Sequence, residues 1–250
     1  MQIGRRALLG GLLALSAVPA AGQLRLLSDS DVVALAARVA APVAEGRRRV
    51  LFVGNSFTYE HDVPTRVAAL AAKAGVAISV EMLVEGGARL ANLLARQGMR
   101  EIMLEGRWSA VILQDHSTTA LHPAFRQDSA TAIRYAAALA APSPVLLMTP
   151  WARAEGHKLY RGAGVSSEGF EVPVGPADMT LRTARHFDTA AERAAIAGQA
   201  IVAVAPVARR WQGAIEEGRM LHARDGYHAA PEGADFTARI LWEALAPLLR

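Results

Sequence analysis

Short continuous apolar runs alternate along the chain with longer stretches in which apolar residues recur every three or four positions. The continuous run at 50–53 predicts a strand covered on both faces, 110–113 another buried strand, and 77–84, 145–148 and 201–204 further strands. The periodic stretches at 63–74, 88–97, 123–141, 178–198, 207–217 and 231–249 predict helices, with a short helical piece ending at Leu104. Strands that alternate with helices imply parallel crossovers. The expected fold is therefore a three-layer α/β/α sandwich around a parallel sheet of about five strands. Two stretches stand apart. Residues 30–41 carry a helical pattern with Ser28, Asp29 and Ser30 as candidate caps. Residues 151–177 are glycine-rich and aperiodic, and a loop that long is functional or disordered.

The N-terminus changes the picture of where this domain works. Arg5-Arg6 precede an apolar run and then small residues through Gly22, the layout of a secretory signal. The arginine pair points to the twin-arginine route, with an uncleaved anchor helix as the alternative. The expected organisation is a signal at 1–22, a helical extension at 23–49 and one domain at 50–250, located in the periplasm or secreted. Elsewhere no run reaches the ~20 apolar residues of a membrane span. The formal charge of +4 falls to +2 once the two signal arginines are removed (4 − 2), and the remaining basic residues are scattered. Nucleic acid is not an expected partner. There is no cysteine, so an exported form is stabilised by its core without disulfides.

In open α/β sheets ligands sit beyond the carboxyl ends of the strands. Polar or glycine residues recur at those ends: Gly54-Asn55-Ser56, Gly86-Gly87, Gln114-Asp115-His116-Ser117 and Thr149-Pro150-Trp151. Asp225-Gly226-Tyr227-His228 lies just before the last helix. Each has a plain structural reading. Ser56 is a natural helix cap, Gly86-Gly87 a turn, Gln114 a partner for buried backbone, and His228 a surface residue. Together they meet a stricter demand. A serine hydroxyl needs a base, the base needs a carboxylate, and the oxyanion needs donors. Asp225 and His228, three apart, can be presented by one loop.

These residues resemble the SGNH (GDSL-type) hydrolase superfamily. Gly54-Asn55-Ser56-Phe57 stands where that superfamily has Gly-Asp-Ser-Leu, Gly86-Gly87 at its glycine block, and Asp225-x-x-His228 at its last block. LFVGNSFTYEHDVP, VEGGARL, SAVILQDHS, LLMTPWAR and DGYHAAPEGA are similar to a bacterial branch of largely uncharacterised exported members, and the likeness covers about residues 48–249. The resemblance implies a flavodoxin-like fold with Ser56 as nucleophile, His228 as general base and Asp225 as its orienter. It implies an oxyanion hole from the amides of Ser56 and Gly87, with Gly86 as the other register. The superfamily's third block offers an Asn, and the matching position here is Gln114, which carries the same amide on a longer stem. Asn55 replaces the usual Asp and removes a charge beside the nucleophile.

The leading expectation is a serine esterase for small acyl esters, with O-acetylated carbohydrate as the sharper guess. The alternatives are an acyltransferase with the same triad and a non-catalytic carbohydrate-binding protein on the same fold. No cofactor is expected. His61, His116 and His122 lie near the site but lack metal-ligand spacing, so no metal site is expected. His157, His186 and His222 read as surface residues. Trp151, Arg153 and Tyr160 are placed to shape substrate choice.

Overall fold

The computed structural model describes residues 47–96, 98–105, 107–198 and 202–250. The expected signal and the helix at 30–41 lie outside the described residues. The chain builds β1 (Arg48–Gly54), α1 (Ser56–Tyr59), α2 (Val63–Lys73), β2 (Ile78–Val84), α3 (Leu90–Leu94), α4 (Met99–Glu105) and β3 (Ala110–Gln114). It continues with α5 (Pro123–Ala140), β4 (Val145–Met148), α6 (Pro176–Gly198), β5 (Val202–Ala205), α7 (Val207–Glu216) and α8 (Pro231–Leu245). Short 3₁₀ turns occupy Glu60–Asp62, Thr119–Leu121, Lys158–Tyr160 and Ala246–Leu249. β1 begins two residues before the expected strand, because Arg48 and Arg49 pair in register with Ile78 and Ser79.

All strand pairings are parallel, in the order β2-β1-β3-β4-β5. The chain moves outward from β1 to β2 and then returns to the other side of β1 with β3. This reversal makes the carboxyl end of β1 the topological switch point, where α/β sheets hold ligands. Alternate side chains of each strand face opposite layers. Leu51, Val53, Val111, Leu113, Val145 and Leu147 pack against α3 to α6. Val50, Phe52, Ala110, Ile112, Leu146 and Met148 pack against α2, α7 and α8. Both layers bury these strand residues almost completely. That explains the absence of polar positions inside the central runs.

The expected long loop at 151–177 is irregular but tied down. Its residues include the Lys158–Tyr160 turn and an isolated bridge between Val165 and Glu171. Arg126 grips Glu171 with two nitrogens, at 2.9 and 3.1 Å. Ala154 N–H donates to the Gly226 carbonyl at 2.8 Å, joining this loop to the one that carries His228.

Candidate active site

β1 ends at Gly54, and its φ is not the reason a glycine is there. A Cβ at this position would lie 2.3 Å from Thr58 Oγ1 and 2.6 Å from Gln114 Oε1. The glycine permits close approach of the β1 end to α1 and β3. Asn55 then caps α1: its Oδ1 accepts from Phe57 N–H at 3.1 Å. The cap is therefore Asn55 and not Ser56. Asn55 Nδ2 donates to the Ala88 carbonyl at 3.0 Å, so the amide does two jobs where an Asp could do one.

The Ser56 hydroxyl faces His228, with Oγ 3.1 Å from Nε2. The other ring nitrogen, Nδ1, lies 2.7 Å from Asp225 Oδ2. The spacing of two residues between Asp225 and His228 has a local cause. Asp225 Oδ1 accepts the amides of Tyr227 (2.8 Å) and His228 (3.0 Å), which folds the turn and leaves Oδ2 for the ring. Gly226 takes φ +64 inside that turn, a conformation suited to glycine. Burial pushes the Asp225 carboxyl up. The bonds from the His228 ring and the two amides outweigh it and hold the group below the usual carboxylate range.

A stack of rings presses this turn onto the nucleophile. Trp211 and Trp151 lie face to face at 4.1 Å between centroids. Phe57 follows Trp151 at 4.2 Å, Tyr227 follows Phe57 at 5.3 Å, and His228 follows Tyr227 at 3.9 Å. Trp151 Nε1 donates to the Tyr227 carbonyl at 3.1 Å. The Arg153 guanidinium lies 3.6 Å from the Tyr227 ring centroid and is 6% exposed. Burial lowers its pKa to about 10, the nearby Tyr227 and Tyr160 hydroxyls opposing. The sequence placed Trp151, Arg153 and Tyr160 near the substrate, yet their visible work is structural. Tyr160 OH donates to the Arg153 carbonyl at 2.8 Å.

No hydrogen bond among the described residues takes up the amide N–H of Ser56 or of Gly87. Gly87 adopts φ +69, unlike Gly86. Gln114 is used differently from the expectation. Its Oε1 accepts Asn55 N–H and Thr58 Oγ1–H, both at 2.9 Å, and its Nε2 donates to the Asp115 carbonyl. An amide N–H can only donate, so the acceptor end of Gln114 must face Asn55. Buried at 1% exposure, Gln114 clamps β3 to the turn after β1, and its Nε2 carries a second hydrogen beyond the one given to Asp115.

Asp115 is also structural. Its Oδ1 accepts Leu90 N–H at 2.8 Å and His116 N–H at 2.6 Å, fixing the start of α3 and hence the glycine loop. Burial pushes its carboxyl upward against these bonds. His116 is neutral: burial, then Arg153 and Arg89, depress its pKa to about 4. His186 and His222, expected at the surface, are half-buried and hydrogen-bonded instead. His186 Nε2 meets Ser129 Oγ at 3.1 Å, and His222 Nε2 meets the Ala152 carbonyl at 2.9 Å. One residue the sequence did not single out is Glu60, whose Oε1 lies 3.4 Å from His228 Nε2.

Structures already solved share this fold. A protein from Slackia heliotrinireducens, provisionally named an SGNH hydrolase, superposes with a TM-score of 0.59 at 25% identity, over 80% of this chain and 99% of that one. The chain is related to the SGNH hydrolase superfamily. A Bacteroides uniformis protein from a domain family of unknown function gives a TM-score of 0.63 at 18% identity, over 80% of this chain and 83% of that one. A lipase/acylhydrolase from Enterococcus faecalis gives 0.56 at 16% identity, over 81% and 97%. The last two share the SGNH fold with this chain. No protein-family profile matches the sequence, and no curated protein does.

Proposed function

We propose that this SGNH relative is a serine-dependent carboxylic ester hydrolase, with Ser56, His228 and Asp225 as its triad. The observation that carries the reading is the continuous hydrogen-bonded line Ser56 Oγ–His228 Nε2 (3.1 Å) and His228 Nδ1–Asp225 Oδ2 (2.7 Å). A nucleophile, a base and an orienter in that order are what acyl transfer needs.

In this mechanism Ser56 Oγ attacks the ester carbonyl carbon while its proton passes to His228 Nε2. Asp225 balances the imidazolium. The oxyanion receives the Ser56 and Gly87 amides, which no hydrogen bond among the described residues takes up. Collapse of the tetrahedral species breaks the bond to the alcohol, which leaves with the Nε2 proton. Water, deprotonated by His228, then attacks the acyl-enzyme, releases the acid and restores Ser56.

The substrate reading is a short acyl group, acetyl first, on a carbohydrate alcohol. The signal-like N-terminus supports action on an extracytoplasmic ester. The test is hydrolysis of p-nitrophenyl acetate and of a panel of acylated sugars by wild type and Ser56→Ala. The variant should lose about 10³–10⁶ in turnover. Equal rates in the two proteins overturn the assignment.

A further inference from the structure

The chain leaves α1 at Glu60 and then passes through two successive residues with left-handed backbone, His61 (φ 54) and Asp62 (φ 55). Neither is glycine, so the conformation is held by its surroundings. Arg66 Nε donates to the His61 carbonyl at 2.6 Å, and Arg66 also pairs with Asp235 of α8. This strained link sets Glu60 against the catalytic histidine. Glu60 Oε1 lies 3.4 Å from His228 Nε2, on the ring edge away from Asp225, and its side chain is 33% exposed.

We propose that Glu60 is a positioning residue for His228: it holds the charged ring while the proton passes between Ser56 and the leaving alcohol. This rests on the ester hydrolase reading above. In the resting state Nδ1–H is directed at Asp225, and Nε2 is the acceptor of the Ser56 hydroxyl. A carboxylate beside a lone pair gains nothing there. After the proton moves, Nε2 carries a hydrogen and the ring a positive charge, and both now face Glu60. The attraction therefore develops along the reaction rather than in the ground state, the condition for raising kcat. The longer distance, 3.4 against 3.1 Å, leaves the reacting oxygen as the better partner.

The charged and titratable groups facing Glu60 are His228 and Asp225 from the loop before α8, with His61 and Tyr59 from its own segment. Burial raises the Glu60 carboxyl, Asp225 adds to this, and the two histidines oppose it. Its charge therefore fades at a higher pH than that of a free glutamate. The help it gives the charged ring fades with it as the pH is lowered.

Glu60→Gln keeps the shape and removes the charge. The variant should lose kcat on an alkyl acetate by about tenfold, less than the loss for a missing oxyanion donor, with KM unchanged. The loss should be smaller on p-nitrophenyl acetate, whose leaving group needs no proton. The loss should narrow as the pH falls and the wild-type Glu60 carboxyl takes up its own proton, and Glu60→Asp should recover part of the rate. A merely structural role would scale the rate equally at every pH. An active wild type whose kcat keeps one ratio to that of Glu60→Gln at every pH overturns this inference alone. A wild type that neither hydrolyses esters nor is labelled at Ser56 by a phosphonate ester overturns it together with the proposed function.

Discussion

Asn55 holds Ala88: its Nδ2 donates to the Ala88 carbonyl at 3.0 Å, while its Oδ1 accepts the amide of Phe57 at 3.1 Å. One side chain thus sets the start of the nucleophile helix and ties it to the loop that carries Gly87. The two amides proposed to receive the oxyanion lie on the two sides of this link. Their separation depends on a single amide group, buried at 1% exposure.

Replacing Asn55 therefore tests whether the link matters to chemistry or only to folding. Asn55→Ala removes the cap and the tether, and should cost about 1–2 kcal/mol of stability. Asn55→Asp keeps an oxygen for Phe57 but has no donor for Ala88. It should recover much of the stability and still lose turnover on p-nitrophenyl acetate. Urea unfolding midpoints and kcat, measured on both variants, separate the two effects. Equal turnover in Asn55→Asp and wild type would show that the tether to Ala88 is not used in catalysis.

The sheet and the Asp225–His228 turn were legible in the sequence because both rest on short-range patterns. Buried parallel strands read as continuous apolar runs, and the Asp225–His228 turn folds on its own backbone amides. The misreadings concern relations across space. Gly54 reads as a turn residue along the chain, and only the approach of Thr58 and Gln114 reveals its role. The clamp made by Gln114 was not foreseen either, since the Asn55 N–H it accepts lies 59 residues away in sequence. Glu60 drew no notice in the sequence, since two left-handed residues in succession cannot be foreseen from Glu-His-Asp. His186 and His222 read as surface residues because neither Ser129 nor the Ala152 carbonyl is near them in sequence.

The clamp made by Gln114 carries its own expectation. Gln114→Ala leaves the buried Asn55 N–H without its acceptor, a cost of about 1–3 kcal/mol. Gly54→Ala drives a methyl group into the same clamp from the other side, with an expected loss of about 1–3 kcal/mol. Both residues touch the same atoms, so the double variant should lose less than the sum of the two. Denaturant titration of the four proteins measures this coupling. Strict additivity would separate Gln114 from the Gly54 turn.

Stability should also depend on pH through two half-buried histidines that the reaction does not use as its base. Burial first, and then nearby arginines, lower His116 and His186 from 6.5 to about 4. In the unfolded chain each regains its ordinary affinity for a proton. Between pH 6.5 and about 4 the unfolded state therefore binds more protons than the folded one, and stability falls as the pH is lowered through that window. Above 6.5 both states are neutral at these positions and the contribution is constant; below 4 both are charged and it is lost. Each residue is half-buried and solvent screens part of the effect, which is of the order of 1–3 kcal/mol per histidine. His186→Gln retains a polar group for Ser129 and cannot be charged. It should flatten the stability profile between pH 6.5 and 4 without altering it above pH 7. Urea midpoints taken at half-unit intervals from pH 4 to 8 give the slope directly, and a slope equal to that of the wild type would remove His186 as its source.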